Sequence, residues 1–177
     1  QDDYPEAYCT WGQTAENVAK KYQITKKEQN EFAFNSHMKT VDAQKKKNFD
    51  NELIKINVND NFISADECVR PDTTLETLNQ LKPAFIENGS VTAGNSSPIT
   101  DGATALLVCS LEYAKKNNIE ILAKIRSIAV HGCEPDYMGL GPIGATNKAL
   151  KRSSLTMKDI GLVELNEAFA SQSIACV

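Results

Sequence analysis

The run Val163-Glu164-Leu165-Asn166-Glu167-Ala168-Phe169-Ala170-Ser171-Gln172 places four strand-compatible residues directly ahead of an apolar helical stretch. Residues 162–165 read as a short buried strand, and residues 168–177 as a helix whose first turn carries Glu167. A strand that feeds a helix in this way calls for a layered α/β arrangement, and the carboxyl end of such a strand is where those folds keep their chemistry. Asn166 stands at that position. Its carboxamide is neutral yet both donates and accepts, so it can hold a water or an oxyanion without bringing charge into a dry site. Spacing alone fits a helix N-cap better, since Asn commonly caps helices.

The alternation extends upstream. Residues 103–109 are apolar, residues 111–117 form a polar helical segment, residues 125–130 are strand-like, and a helix is expected around residues 145–151. Strands alternating with helices predict a mostly parallel layered sheet. The chain before Gly94 differs in character. Ala15, Val18, Ala19 and Tyr22 recur at helical spacing, and Thr25 with Glu28 makes a capping box that opens a longer polar helix to about Lys47. Ile54, Ile56 and Val58 alternate with polar neighbours as a half-exposed strand, with Asn59-Asp60-Asn61 as the turn after it. Thr73 with Glu76 reads as a second capping box, opening a short helix that Pro83 ends. This polar, helical part reads as an insertion or lid.

A chain of 177 residues with 41% hydrophobic and 24% charged residues is ordinary globular composition and selects no function. A net charge of −4 argues against a nucleic-acid surface. Five cysteines, Cys9, Cys68, Cys109, Cys133 and Cys176, lack paired spacing, which disfavours a disulfide framework or a zinc site and points to a reducing compartment. No apolar stretch approaches the ~20 residues of a membrane span, and no signal-peptide pattern opens the chain. A cytoplasmic location is expected, with a mitochondrial or peroxisomal one as the alternative. Gln1 at the start, and the apolar finish at Cys176-Val177 without a closing cap, suggest a piece of a longer protein.

Three further stretches can carry chemistry. Ala93-Gly94-Asn95-Ser96-Ser97-Pro98 is a small-residue stretch where backbone can approach a ligand, or simply a surface turn. Arg70 before Pro71 lies in an extended segment, where a guanidinium can stack on a base, reach a phosphate or remain solvated. Met138-Gly139-Leu140-Gly141-Pro142 is a tight loop feeding a helix. His131 and Cys133 are two apart on an expected strand end, yet no third group is in view to orient the His, so they do not read as a nucleophile pair. His37, in a polar helix, is expected to face solvent.

Asn166-Glu167-Ala168-Phe169, Thr92-Ala93-Gly94-Asn95-Ser96-Ser97, Asp101-Gly102-Ala103, Met138-Gly139-Leu140-Gly141-Pro142 and Gly12-Gln13-Thr14-Ala15-Glu16-Asn17-Val18-Ala19 together resemble the thiolase family, in order and over nearly the whole chain. The resemblance implies a thiolase-like layered α/β fold in part. Residues 1–99 would form a mostly helical loop (lid, coenzyme A-binding) domain, residues 100–120 the end of the N-terminal half, and residues 121–177 the start of the C-terminal half. Each full half is described in the family as βαβαβαββ.

The resemblance also assigns roles. Ser97 would lie against the pantetheine arm of coenzyme A, with Ala93 and Ser96 flanking it and Phe85 walling the tunnel. Arg70 and Thr77 would lie at the nucleotide end, and Met138 beside the reacting thioester. Asn166 would hold the water that donates to an enolate oxygen. The nucleophilic Cys, the acid/base Cys and the activating His of the family fall outside these residues, so the chain alone is expected to be inactive. Coenzyme A and acyl-CoA enter as substrates, with no covalently bound cofactor and no metal, and a homodimer or homotetramer is implied for the full-length protein.

Two departures, Thr10-Trp11-Gly12 where acetoacetyl-specific members carry a His, and Ser96 where they often carry Ala, lean toward the degradative 3-ketoacyl branch of fatty acid β-oxidation. Biosynthetic acetoacetyl-CoA synthesis, or a non-catalytic acyl-CoA or lipid-binding protein, is the alternative.

Overall fold

The structure is a computed structural model that describes residues 8–177. Helix α1 (Trp11–Tyr22) begins in a reciprocal cap: the Gln13 N–H donates to Thr10 Oγ1 at 3.3 Å, and the Thr10 N–H donates to Gln13 Oε1 at 2.9 Å. Ala15, Val18 and Ala19 are buried at the expected helical spacing, whereas Tyr22, in the last turn, is exposed. Helix α2 (Lys26–Lys45) opens on the expected Thr25–Glu28 box and stops slightly short of the expected Lys47.

Residues 55–63 contain a hairpin of β1 (Ile56–Val58) and β2 (Asn61–Ile63), with Ile56 opposite Ile63. Its two-residue turn is Asn59-Asp60, with φ of 50° and 65°, a left-handed pair that Asn and Asp tolerate and that matches strand twist. Helix α3 (Leu75–Gln80) is capped by Thr74 with Thr77, not by Thr73 with Glu76. The Thr73 N–H is already bonded to the Arg70 carbonyl in the preceding turn, which moves the cap on by one residue.

Beyond the 3₁₀ turn Ala93–Asn95 come α4 (Leu111–Lys116), a 3₁₀ segment Pro135–Leu140 and α5 (Gly141–Ser153). The last helix, α6 (Ala170–Cys176), starts later than expected, with extended Phe169 as its N-cap residue. Asn166 therefore does not cap it. The expected strands at residues 103–109, 125–130 and 162–165 pair with nothing: among the described residues the hairpin is the only sheet, joined by isolated bridges Pro83–Thr92 and Ser96–Phe169. A strand exists only with a neighbour about 4.8 Å away to take its hydrogen bonds. These segments have none, and Leu106 stands 88% exposed.

The packed part lies where α1 meets α6 and the 3₁₀ segment Pro135–Leu140, and where α2 meets α3 and the Ala93–Asn95 turn. Its interior is unusually polar: Gln29, Asn30, Thr92, Asn95, Ser171 and Ser173 are buried beside Val18, Val91 and Ala170. Buried polar groups must find partners. Buried Glu16 on α1 accepts from the Ser90 N–H (2.9 Å), the Val91 N–H (2.9 Å) and Ser90 Oγ (3.0 Å). Gly89 allows this approach, because a Cβ there would meet the Glu16 carboxylate. Asn30 Nδ2 donates to Asn79 Oδ1 (2.9 Å), and Asn95 Nδ2 donates to Asn30 Oδ1 (3.1 Å) and the Ser90 carbonyl (3.2 Å). Asn95 Oδ1 in turn accepts from the Thr92 N–H at 2.8 Å.

Replacing Glu16 with Ala strands the Ser90 and Val91 N–H groups in a water-poor site, so Glu16→Ala should destabilise the fold by about 3 kcal/mol. Glu16→Gln, which keeps one acceptor oxygen, should cost less. Urea denaturation of the complete protein measures both, and equal midpoints for Glu16→Ala and the parent would contradict the clamp.

Candidate active site

The polar network fixes residues 90–95, and beyond it Ser96, Ser97 and Pro98 face the Asn166 segment. The Ser97 N–H donates to the Ala168 carbonyl at 2.9 Å, and Ser96 bridges Phe169. Between these strips and α2 opens a cavity of about 570 Å³. Its walls are Phe32, Ala33, Ser36 and His37 of α2, residues 95–98, residues 164–167 and Ala170. Of the residues singled out in sequence, Ser96, Ser97 and Asn166 share this cavity.

Ser96 Oγ donates to the Thr92 carbonyl (2.7 Å), which turns it back into its own loop. Ser97 Oγ has only a long contact to the Pro98 carbonyl (3.5 Å), so its hydroxyl remains open to the cavity. The Asn166 carboxamide makes no hydrogen bond among the described residues, and its side chain is exposed on the cavity wall. Gly94, read as a point of ligand approach, instead admits Leu78 and Leu81, whose methyl groups occupy the space a Cβ would need.

The other candidates lie apart from the cavity walls. Phe85 stacks edge-on against Phe169, with centroids 6.0 Å apart and planes at 81°. Ala93 is exposed at the start of its 3₁₀ turn, and Thr77 spends its hydroxyl on the α3 cap, donating to the Thr74 carbonyl at 2.9 Å. Met138 is exposed in the Pro135–Leu140 segment. Arg70 is exposed but sits beside the site, its N–H donating to His37 Nδ1 at 3.3 Å. His131 packs its ring on Gly144 while Cys133 Sγ donates to the Met138 carbonyl, so the two serve separate contacts.

Residues that the motifs did not single out also line the cavity. His37 is half-buried against it, not solvent-facing, and Ser36 Oγ donates to Glu167 Oε2 at 2.6 Å. The available signal was spacing: Phe32, Ala33, Ser36 and His37 fall on one helix face, a polar pair beside an apolar one. Burial holds the His37 imidazole below its ordinary value of 6.5, the Arg70 guanidinium adds to that, and the Glu167 carboxylate opposes it. Neutral His37 also suits its bond, because Nδ1 must be unprotonated to accept from Arg70. Among the described residues no group of three or more His, Cys, Asp or Glu is placed to hold a metal, and no helix is long and apolar enough to cross a membrane.

Helix α2 and the serine loop enclose a cavity that Asn166 faces, in an α/β fragment whose Asn166 carboxamide has no hydrogen bond among the described residues. Residues 4–112 match the thiolase N-terminal domain and residues 119–177 the thiolase C-terminal domain, and the chain belongs to the thiolase family. It is 48% identical over 172 residues to the 3-ketoacyl-CoA thiolase of Aliivibrio fischeri, covering 94% of this chain and 44% of that one. It is 47% identical over 169 residues to a probable acetyl-CoA acyltransferase of Staphylococcus epidermidis, covering 93% and 43%. Human mitochondrial 3-ketoacyl-CoA thiolase in complex with CoA superposes with a TM-score of 0.89 at 43% identity, over 92% of this chain and 41% of that one. The chain thus spans less than half the length of the relatives it matches.

The stability that neutral His37 contributes should be complete above pH 6.5 and lost as pH falls through its lower folded-state value. A ¹H–¹³C titration of the imidazole from about pH 7.5 to about pH 4.5 checks the direction. A midpoint at or above the ordinary value would contradict it. His37→Asn, which keeps an acceptor near Nδ1, should flatten the pH dependence of the denaturation midpoint over that range.

Proposed function

We propose that the complete protein containing this chain transfers an acyl group between a 3-ketoacyl-CoA and coenzyme A, with cleavage to acetyl-CoA as the working direction. The observation that carries this reading is the Asn166 carboxamide, without a hydrogen bond among the described residues and facing Ser96 and Ser97 across one cavity, in a chain of the thiolase family. Relatives named 3-ketoacyl-CoA thiolase and probable acetyl-CoA acyltransferase support acyl transfer as the reaction class.

Making or breaking a carbon–carbon bond beside a thioester passes through an enolate, whose oxygen needs prearranged donors worth about 3 kcal/mol each. Asn166 would orient a water toward that oxygen. Ser97, with its hydroxyl uncommitted, would contact the pantetheine arm. Ala93, Ser96 and Phe85 would lie along the same arm, Arg70 and Thr77 at the nucleotide end, and Met138 beside the thioester. Arg70 is exposed and thus open to a phosphate. In this reading residues 1–99 are the lid, residues 100–120 and 121–177 belong to the two core halves, and the nucleophilic Cys comes from outside these residues. The whole protein would act as a homodimer or homotetramer.

Asn166→Ala in the complete protein should slow turnover tenfold or more, up to about a hundredfold if the full worth of one donor is lost, with little change in coenzyme A affinity. Loss of affinity with normal turnover would refute the assigned role. Ser97→Ala should mainly raise KM for coenzyme A, and an unchanged KM would remove it from the site. The assay is the loss of enolate absorbance from acetoacetyl-CoA with coenzyme A. No loss with the parent protein would favour a non-catalytic acyl-CoA-binding protein.

A further inference from the structure

The bond from Ser36 Oγ to Glu167 Oε2, 2.6 Å long across 131 residues of sequence, ties α2 to the residue next to Asn166. Because the Asn166 carboxamide has no hydrogen bond of its own among the described residues, the backbone of its segment sets where its Cα–Cβ bond points and so which rotamers reach the cavity. That backbone is pinned on the loop side, after Asn166, by the Ser97–Ala168 bond and the Ser96–Phe169 bridge. Residues 162–165 before it make no ladder. On the α2 side, Ser36–Glu167 is the side-chain tether nearest to Asn166.

Its chemistry suits the place. A carboxylate beside a group that serves a developing anion repels that anion unless the charge is occupied and turned away. An O–H···O⁻ contact of this length is a charge-assisted bond, strong enough to hold the carboxylate against the helix. Glu167 also faces His37, whose protonation burial and then Arg70 disfavour, and Ser36 is the partner that hydrogen-bonds its carboxylate.

We propose that Ser36 and Glu167 are positioning residues that aim the Asn166 carboxamide into the cavity, a role that rests on the function proposed for Asn166 itself. Neither residue touches the reacting atoms. Their effect therefore passes through Asn166.

The test measures kcat and KM of the complete protein for Ser36→Ala, Glu167→Ala and Glu167→Gln, each alone and combined with Asn166→Ala. Ser36→Ala and Glu167→Ala should lower kcat about threefold to tenfold with KM held within about twofold. Glu167→Gln, whose amide oxygen still accepts from Ser36, should recover most of that loss. In the Asn166→Ala background neither substitution should slow turnover further, because a tether acting through Asn166 has nothing left to aim. Losses that multiply in that background, or that fall on KM, overturn the proposal. Normal kcat in both single variants beside a slow Asn166→Ala overturns the tether alone, and a normal Asn166→Ala overturns the underlying reading with it. Ser36→Cys, close in size with a weak donor, replaces Ser36→Ala if that variant does not fold.

Discussion

The placement of the cavity depends on how the Glu16 carboxylate meets the backbone at Ser90 and Val91. A buried carboxylate is costly unless hydrogen-bonded, and buried N–H groups in a loop are costly unless they find an acceptor. Here the two liabilities cancel, with Ser90 Oγ as a third donor. From that anchor the chain runs through buried Val91 and Thr92 into Asn95, which reaches back to Asn30 on α2. Side chains of α1, α2 and α3 thus fix a loop that has no sheet of its own. Ser96 and Ser97 face residues 164–167 because helix packing has already set where the loop ends.

Local signals in the sequence translate into structure where the determining contacts are local. The Thr25–Glu28 box and the turn after Val58 need only residues a few positions apart: the box forms as expected, and the turn forms on Asn59-Asp60, with Asn61 already in β2. The Thr73–Glu76 box has the same pattern and fails, because the Arg70 carbonyl recruits the Thr73 N–H first. Asn166, Ser96 and Ser97 were visible through their motifs, and the structure brings them to one cavity. His37 and Ser36 were not. Helix α2 has no continuous apolar stripe to show which face turns inward, so spacing could group those residues but not orient them. Thr77 and Phe85 are reached through the family pattern alone, and Arg70, Ala93 and Met138 take their specific roles from it, while their side chains serve a cap, packing or solvent.

The three expected strands show what periodicity leaves out. Leu107, Val108, Val130, Leu162 and Val163 have the residue types that suit a pleated surface, and all are exposed. Strand propensity measures fit against neighbours, and no described strand pairs with these; beside residues 125–130 lies helix α5 instead, whose Lys148 and Arg152 donate to the Val130 and Ile128 carbonyls. The relatives are more than twice as long as this chain, which covers 44% of the Aliivibrio fischeri protein. Two βαβαβαββ halves, as the family resemblance describes them, would supply such neighbours. On α6, Gln172 Oε1 and Ser173 Oγ are buried without partners among the described residues.

Charge in the cavity bears on why a neutral amide suits this place. Glu164 and Glu167 both line it, so the local field opposes a developing anion. A protonated His37 would offset that field, but burial and the Arg70 guanidinium drive it toward the neutral form. Arg70 itself is exposed outside the walls, where water screens it. Stabilising an enolate here would then fall to oriented dipoles. A dipole held in place costs no reorganisation at the moment of reaction, and it adds no charge for the carboxylates to attract and capture. An Asn whose amide is uncommitted, on a backbone pinned by the serine loop on one side and by Ser36 through Glu167 on the other, meets that requirement. An Asp at the same position would add a third negative charge to the wall, and a Lys would be drawn into an ion pair with Glu164 or Glu167 before any substrate arrived.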